Sequence, residues 1–196
     1  MTSPPVSPAL ASPALISVDW GTTSLRAYLL SAAGDVIAAS ESAQGIMALA
    51  GGAFAAALRA VCAGWIAGHG PLPAILSGMI GSRQGWVEAP YVSCPATLQA
   101  LGDALVALEV PGFGAVRLVP GVTRRDAAGL PDVMRGEECQ IFGAVALLGA
   151  ASGRFLLPGT HSKLVDVEDG RIVAFRTFMT GEVFAALRGH TILGRM

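Results

Sequence analysis

A short apolar strand that ends in a Gly-Thr turn and returns as a second strand occurs twice in the chain. The first copy is strand 15–18, turn DWGTTS at 19–24 and strand 25–30, and the second is strand 154–157, turn PGTHSK at 158–163 and strand 164–167. A third short strand follows each pair, at 36–40 and 171–177. Consecutive short strands joined by tight turns are typical of an antiparallel meander. The sequence therefore predicts two equivalent meanders, each carrying the same kind of turn.

Helices and further strands follow the first meander. Together with the meander, these predicted elements run in the order β-β-β-α-β-α-β-α. This order matches the ribonuclease H-like plan of an α/β domain with a mixed sheet. A helix near Gly181 follows the second meander, and the sequence then stops. We therefore predict a disordered Pro- and Ser-rich tail at 1–13, a first domain at 14–150 and an incomplete second domain of the same kind at 151–196. The predicted elements of the first domain after its meander are helix 52–67, strand 74–77, loop 78–95, helix 96–108, strand 115–119, loop 120–135 and helix 137–150.

The two turns carry residue types that suit phosphate binding. Gly21 and Gly159 let the backbone approach a ligand closely, and the neighbouring Thr and Ser hydroxyls can donate to phosphate oxygens. Asp19 could hold Mg²⁺ beside those phosphates. Lys163 is the chain's one lysine and lies in the second turn, where a cation could reach a transferring phosphoryl group. The alternative for Lys163 is a solvated surface lysine at the start of a strand.

Composition excludes several other classes of protein. Mean hydropathy is +0.58, yet the longest uncharged apolar run, about 141–151, is far shorter than the ~20 residues of a membrane-spanning helix. Thirteen basic and 14 acidic residues form no basic stripe of the kind that binds nucleic acid. The three cysteines lie far apart, which favours reduced thiols in a cytoplasmic protein over a disulfide framework or a zinc site.

Four segments together resemble the 2-dehydro-3-deoxygalactonokinase family, a branch of the actin/hexokinase/heat-shock-chaperone ATPase superfamily. They are DWGTTS at 19–24, SGMIGSRQGWVEAPYVSCPA at 77–96, DVMRGEECQIFGA at 132–144, and LPGTHSKLVDVEDG with FMTGEVFAAL at 157–187. The resemblance covers about 15–196. It implies transfer of the γ-phosphoryl group of ATP, with Mg²⁺, to the 6-hydroxyl of 2-dehydro-3-deoxy-D-galactonate in galactonate catabolism, on two ribonuclease H-like domains. The phosphate-binding residues that it implies are Asp19, Gly21, Thr22, Thr23, Gly159, Thr160, His161, Ser162 and Lys163.

The long loop from Ser77 to Tyr91 is the predicted site for the sugar acid. A planar guanidinium suits a carboxylate, amide and carboxylate groups could bind hydroxyls, and an aromatic ring could pack on the carbon chain. The alternative is an ordered surface loop, but its length favours function. Arg124 and Arg125 are a second candidate pair for the carboxylate. The predicted substrate-binding residues are Arg83, Gln84, Trp86, Glu88 and Tyr91.

Phosphoryl transfer also needs a carboxylate near the attacking hydroxyl. Glu137 and Glu138 follow Gly136 at the start of a predicted helix, where the helix dipole alone also favours acidic residues. Asp19 is the rival base, although its place beside the phosphates suits the metal better. The catalytic candidates are therefore Asp19, Glu137 and Glu138.

The predicted second domain ends before any segment that matches the superfamily's adenosine-binding motif. We therefore expect the chain to be the front of a longer kinase, to bind ATP poorly by itself, and to be inactive or to associate, for example as a homodimer, through an open sheet edge. A polyphosphate or nucleotide hydrolase of the same superfamily and an inactive sugar-acid-binding fragment are the alternative functions.

Overall fold

The computed structural model describes residues 12–49 and 52–195. The predicted disordered tail at 1–13 lies largely outside them, and the first strand begins at Pro13. The strands are β1 (Pro13–Trp20), β2 (Leu25–Ser31), β3 (Val36–Ser42), β4 (Ala74–Gly78), β5 (Tyr91–Ser93), β6 (Val106–Leu108), β7 (Val116–Leu118), β8 (Gly121–Arg125), β9 (Pro131–Met134), β10 (Gly153–Leu157), β11 (Ser162–Glu168) and β12 (Arg171–Phe178). The α-helices are α1 (Phe54–His69), α2 (Leu98–Asp103), α3 (Glu137–Leu148) and α4 (Thr180–His190), and short 3-10 helices occupy Ile46–Ala48, Met79–Gly81 and Ile192–Arg195.

The contacts within the chain divide it into two compact units. Unit 1 comprises Met1–Leu76 with Ala107–Arg117, and unit 2 comprises Ser77–Val106 with Leu118–Met196. This division differs from the predicted boundary at 150/151, because α3 and the last three strands contribute to one core. The assignment of 151–196 to the start of a second domain therefore stays a prediction.

Unit 1 contains the first predicted meander. β1 pairs antiparallel with β2, and β2 pairs antiparallel with β3, in a sheet of order β3-β2-β1-β4-β7-β6. Side chains alternate along a strand, so Ile16, Val18 and Trp20 of β1 are all buried on one face. The ring of Trp20 meets that of Phe54 in α1 edge to face, with centroids 5.9 Å apart. This packing fixes the end of β1, where the first Gly-Thr turn begins.

Unit 2 holds two three-stranded sheets. In one, β8 pairs parallel with β5 and antiparallel with β9, so the sheet is mixed. The other is the second meander, with β10, β11 and β12 antiparallel in that order. The prediction of an α/β chain with a mixed sheet is confirmed. The shared core consists of Ala96, Leu101, Val122, Met134, Ile141, Phe142, Val165, Val167, Ile172 and Phe175.

Three predicted elements are wrong. The predicted loop 78–95 contains the short strand β5. The stretch 120–135 is not a loop but the β8–β9 hairpin, whose turn is built by the Asp126 carboxylate accepting from the backbone N–H groups of Ala128 and Leu130, both at 2.9 Å. The predicted helix 96–108 is the much shorter α2 followed by β6. The Thr97 hydroxyl caps α2 by accepting from the Ala100 N–H.

Within 12–49 and 52–195, none of the helices has both the length and the apolar character needed to cross a bilayer.

Candidate functional site

The first Gly-Thr turn is held against a neighbouring backbone segment. The Gly21 N–H closes the turn on the Ser24 carbonyl oxygen at 2.9 Å, while Gly21 and Thr22 carbonyl oxygens accept from the N–H groups of Ile46 and Met47. A Cβ on Gly45 would lie 2.3 Å from the Thr22 carbonyl oxygen, so only glycine permits this approach. The side chains of Thr22 and Thr23 remain exposed, which leaves their hydroxyls accessible to a ligand.

Asp19 lies at the entrance to this turn. Its side chain is 43% exposed, and its carboxylate is 3.7 Å from the Arg26 guanidinium on the paired strand β2. Partial burial raises the pKa of Asp19, and the positive charge of Arg26 opposes that rise. The site therefore presents one half-exposed carboxylate beside a polar turn.

The second Gly-Thr turn packs on the beginning of α4. The Ser162 hydroxyl contacts the Thr180 hydroxyl and accepts from the Gly159 N–H at 3.4 Å. The Glu182 N–H donates to the Thr160 carbonyl oxygen at 3.1 Å. His161 Nε2 lies 2.5 Å from a Glu182 carboxylate oxygen. The turn and the first turn of α4 thus form one connected polar cluster.

Lys163 is buried beside the core of unit 2, with its ammonium nitrogen 5.9 Å from the centroid of the Phe175 ring. It is only 6% exposed, and its ammonium donates to the Val133 carbonyl oxygen at 2.6 Å and to the Thr177 hydroxyl at 2.7 Å. The Thr177 hydroxyl in turn donates to the Asp132 carboxylate at 2.6 Å. The ammonium therefore ties β11 to β9 and β12. This arrangement supports neither the predicted phosphate contact nor the alternative of a solvated surface lysine.

The predicted acceptor loop is compact and closed at its base. The Ala89 N–H donates to the Gly81 carbonyl oxygen at 2.9 Å, and the Trp86 N–H donates to that of Ile80 at 2.8 Å. A Cβ on Gly85 would lie 2.1 Å from the Ile80 carbonyl oxygen. These contacts make an ordered loop whose tip carries the exposed side chains of Arg83, Gln84 and Glu88.

Arg135 joins the acceptor loop to the start of α3. Its Nη2 donates to the Ala89 carbonyl oxygen at 2.8 Å, and its guanidinium carbon lies 4.3 Å from the centroid of the Tyr91 ring. Gly81 packs so closely that a Cβ there would be 3.0 Å from Nη1. Sequence reasoning missed Arg135 as a site residue, although it stands directly before the Gly136-Glu137-Glu138 segment that was singled out.

The two carboxylates at the start of α3 have different surroundings. Glu137 is partly exposed and accepts from the Arg135 N–H at 3.0 Å. Glu138 is fully buried, and both its oxygens lie 2.8 Å from the Gly136 N–H. Burial raises the pKa of Glu138 to about 7, opposed by the hydrogen bonds from the backbone. Of the two, Glu137 is the carboxylate that a ligand can contact.

The second candidate pair for the carboxylate lies elsewhere in unit 2. Arg124 donates to the Phe175 carbonyl oxygen at 2.7 Å, and Arg125 donates to that of Gly129 at 2.8 Å. Arg124 and Arg125 line a cavity of about 490 Å³ together with Ser93, Cys94 and Thr123. Their hydrogen bonds to backbone carbonyls explain both arginines without a ligand.

Within each unit, the structure brings together residues that are distant in sequence. In unit 1 the first turn meets the 45–47 segment. In unit 2 the second turn meets α4, and the acceptor loop meets α3 through Arg135. Among residues 12–49 and 52–195, no three His, Cys, Asp or Glu side chains cluster as a ready-made metal site.

Comparison with known proteins adds the family. The family model of 2-keto-3-deoxy-galactonokinase matches residues 19–196, which includes both Gly-Thr turns, the acceptor loop and α3. The chain belongs to the 2-keto-3-deoxy-galactonokinase family. Membership confirms the resemblance that the four sequence segments predict.

Individual relatives of this galactonokinase family agree with the assignment. A protein of Rhizobium meliloti (strain 1021), named a probable 2-dehydro-3-deoxygalactonokinase, is 43% identical over 178 residues, which cover 90% of this chain and 57% of that protein. The 2-dehydro-3-deoxygalactonokinase of Escherichia coli (strain K12) is 38% identical over 182 residues, or 91% of this chain and 58% of that protein. The chain therefore spans somewhat more than half the length of these relatives.

A crystal structure of a candidate 2-dehydro-3-deoxygalactonokinase from Sinorhizobium meliloti has the same fold over the matched region. Its TM-score is 0.82 at 42% sequence identity, covering 92% of this chain and 59% of that one. The fold described above is therefore that of the corresponding part of a member of the galactonokinase family.

Proposed function

We propose that this chain carries the phosphate-binding turns and the sugar-acid site of an ATP-dependent kinase that phosphorylates 2-dehydro-3-deoxy-D-galactonate at its 6-hydroxyl. The observation that carries the proposal is the packing of the two Gly-Thr turns. Each turn lies against another backbone segment at a position where only glycine fits, Gly45 for the first turn and Gly181 for the second. Membership of the galactonokinase family supports the substrate class.

The proposed phosphate contacts come from the two turns. Thr22 and Thr23 offer exposed hydroxyls, and the backbone N–H groups of Gly21 to Thr23 are the further donors that we assign to the first turn. In the second turn we assign the role to Gly159, Thr160, His161 and Ser162. Lys163 receives a structural role instead, because its ammonium already has two partners inside unit 2.

Asp19 fits a role as the Mg²⁺ ligand. Mg²⁺ in kinases binds through one or two carboxylates, water and the phosphates of the substrate rather than through a full protein cage. A single half-exposed carboxylate beside a turn with exposed hydroxyls matches that donor set. When bound, the ion would neutralise charge on the phosphates during transfer.

Glu137 is the carboxylate that we propose as the general base. A base must touch the hydroxyl whose proton it accepts, and Glu137 is the partly exposed member of the pair. Its carboxylate is positioned by the Arg135 N–H. Glu138 is buried, so we assign it to shaping the start of α3 around Gly136 rather than to contact with substrate. Arg83, Gln84, Trp86, Glu88 and Tyr91 stay the proposed sugar-acid loop.

The proposed architecture is a ribonuclease H-like domain of the actin-like ATPase type with the first part of a second such domain. The two antiparallel meanders, β1–β3 and β10–β12, support this reading. We place the enzyme in the cytoplasm, since its substrates are ATP and a sugar acid and Cys62, Cys94 and Cys139 are free thiols. The homodimer stays a prediction.

An ADP-release assay with 2-dehydro-3-deoxygalactonate and 2-dehydro-3-deoxygluconate tests the proposal. It uses the protein at the full length of its relatives, since this chain spans 57–58% of them. We expect turnover that depends on the sugar acid, and a product whose phosphate is on the primary carbon by NMR. Asp19→Asn removes the charge of the proposed metal ligand and should abolish transfer. Phosphate release without a sugar acid would indicate the hydrolase alternative. If the protein neither binds nor turns over either acid, the proposal is contradicted.

A further inference from the structure

Three buried polar atoms beside the acceptor loop have no hydrogen-bond partner among the described residues. They are Nε and Nη1 of Arg135 and Oγ of Ser82. Arg135 is only 9% exposed, and a guanidinium does not lose its proton in a protein. A buried charged donor without an acceptor is strongly unfavourable, so the two Arg135 nitrogens indicate that an acceptor from outside the chain belongs there. Ser82 directly follows Gly81, which packs against Nη1 of Arg135.

The surroundings of Arg135 define what that acceptor can be. Its Nη2 is already bound by the Ala89 carbonyl oxygen, the Tyr91 ring lies on its face, and Gly81 packs against Nη1 so closely that a Cβ there would be 3.0 Å away. All three partners are uncharged and belong to the acceptor loop. A permanently charged guanidinium in such a site binds a planar anion well, since the two oxygens of a carboxylate match the geometry of its N–H groups.

We infer that Arg135, with the hydroxyl of Ser82, binds the carboxylate of the sugar acid. This inference rests on the proposed function for the identity of the acid and deepens it by naming the residue that holds its charged end. Because the free nitrogens are covered, the carboxylate enters by displacing part of the loop between Gly81 and Ala89.

The sequence-based choice for this role, Arg83, is a weaker candidate. Its side chain is 89% exposed and its Nε lies 4.0 Å from the Glu88 carboxylate. An exposed guanidinium pairs weakly with an anion because water screens it, and the neighbouring carboxylate repels a second one. Arg135 is buried, so water screens its charge less. That charge also acts on the buried Glu138, whose two carboxyl oxygens are bound by the Gly136 N–H.

The test is calorimetric titration of the chain with 2-dehydro-3-deoxygalactonate, with pyruvate as the bare 2-oxo acid, and with ATP. We expect Arg135→Met to weaken binding of the sugar acid by about 30-fold or more, as expected for lost charge-assisted hydrogen bonds. Arg135→Lys should weaken it by about tenfold, because an ammonium does not replace the guanidinium. ATP affinity should not change in either variant. Arg171→Met is the matched control, since Arg171 pairs with Asp169 on an exposed turn.

Ser82→Ala separates ligand binding from a structural role, and it decides the matter if Arg135→Met does not fold. It removes a buried hydroxyl without a partner, so the unliganded protein should unfold at the same temperature or higher. Affinity for the sugar acid should nevertheless fall several-fold.

Each remaining outcome has a distinct meaning. Unchanged affinity for the acid in folded Arg135→Met, or in both Arg135→Lys and Ser82→Ala, overturns the inference and leaves the proposed function standing. Pyruvate binding that depends on Arg135 without binding of the sugar acid supports the carboxylate site and contradicts the proposed substrate. Binding of no carboxylate by the unaltered chain overturns the inference, because the buried atoms then have no anion from outside the chain as a partner.

Discussion

Gly181 lies directly against the carbonyl oxygen of Gly159, close enough that a Cβ on Gly181 would be 2.6 Å from that oxygen and 2.8 Å from the Thr160 Cα. The first turn of α4 therefore touches the backbone of the second Gly-Thr turn. The Glu182 N–H fixes the same approach through its hydrogen bond to the Thr160 carbonyl oxygen. The glycine matters here for space, so its replacement tests the turn without altering any polar group.

Replacing Gly181 by alanine should separate α4 from the turn. We expect Gly181→Ala to lower the free energy of unfolding by about 1–3 kcal/mol, since a methyl group is forced into closely packed backbone, and to weaken ATP binding. Urea unfolding and ATP titration measure the two effects. Gly189→Ala is the matched control: Gly189 lies in the same helix with nothing within 4 Å, and alanine there should stabilise by about 0.5–1 kcal/mol. Equal ATP affinity in the two variants would contradict a phosphate role for this turn.

Lys163 offers a second test, because a structural lysine and a phosphate-binding lysine respond differently to replacement. Lys163→Met leaves the Val133 carbonyl oxygen and the Thr177 hydroxyl without their donor. We expect a loss of about 1–3 kcal/mol in the free energy of unfolding, with ATP affinity little changed where the variant is folded. A stable variant with strongly reduced ATP affinity would instead restore the phosphate role predicted from the sequence. Chemical unfolding and ATP titration on the same samples decide between them.

The contrast between Lys163 and its neighbour Ser162 explains why the phosphate-binding residues of the second turn could be predicted only in part from the sequence. The Gly-Thr pattern identified both turns because it recurs at the same place in two equivalent meanders, after the first strand of each. Which side of the sheet Lys163 faces depends on where β11 begins, and that boundary is set by pairing with β10 and β12. Adjacent strand residues point to opposite faces, so Ser162 meets Thr180 while Lys163 enters the core.

The fold, too, could be predicted only in part from the sequence. Helices α1 and α3 and both meanders follow from local periodicity and turn residues. The turn of the β8–β9 hairpin is local and built on Asp126. The hairpin was missed because β9 also depends on distant partners, including the bond from the Thr177 N–H to the Asp132 carboxylate. Arg135 was missed for the same reason, since a lone arginine between a strand and a helix has no local signal. Its partners Ala89 and Tyr91 lie more than 40 positions earlier in the chain.

Glu138 should make stability depend on pH in a defined direction. Burial raises the pKa of Glu138 from 4.5 to about 7, so the folded state binds this proton more tightly than the unfolded state does. Its contribution to stability is fully present below about pH 4.5 and is lost as the pH rises through about 7. Glu138→Gln stays neutral and keeps an acceptor for the Gly136 N–H. We therefore compare the free energy of unfolding of Glu138→Gln with that of the wild type. We expect the difference, variant minus wild type, to be larger at pH 8 than at pH 4 by up to about 3 kcal/mol.

Thermal or urea unfolding of both proteins between pH 4 and 8 checks this expectation. Arg135 and Glu137 also act on Glu138, the first favouring its charged form and the second opposing it, and both are unchanged in the variant. The same pH slope in wild type and Glu138→Gln would show that Glu138 does not titrate in this range.

The first Gly-Thr turn can be tested in the same way as the second, through Gly45. A Cβ on Gly45 would lie 2.3 Å from the Thr22 carbonyl oxygen and 2.4 Å from the Thr23 nitrogen. These are backbone atoms that cannot rotate away, so Gly45→Ala must displace the turn itself. We expect ATP affinity to fall, with a loss of about 1–3 kcal/mol in stability, whereas Gly64→Ala in α1, where nothing lies within 4 Å, should stabilise slightly. If Gly45→Ala and Gly181→Ala both weaken ATP binding while leaving pyruvate affinity intact, the turns bind phosphate and the acid site is separate. Loss of ATP affinity in only one variant would assign the phosphates to that turn alone.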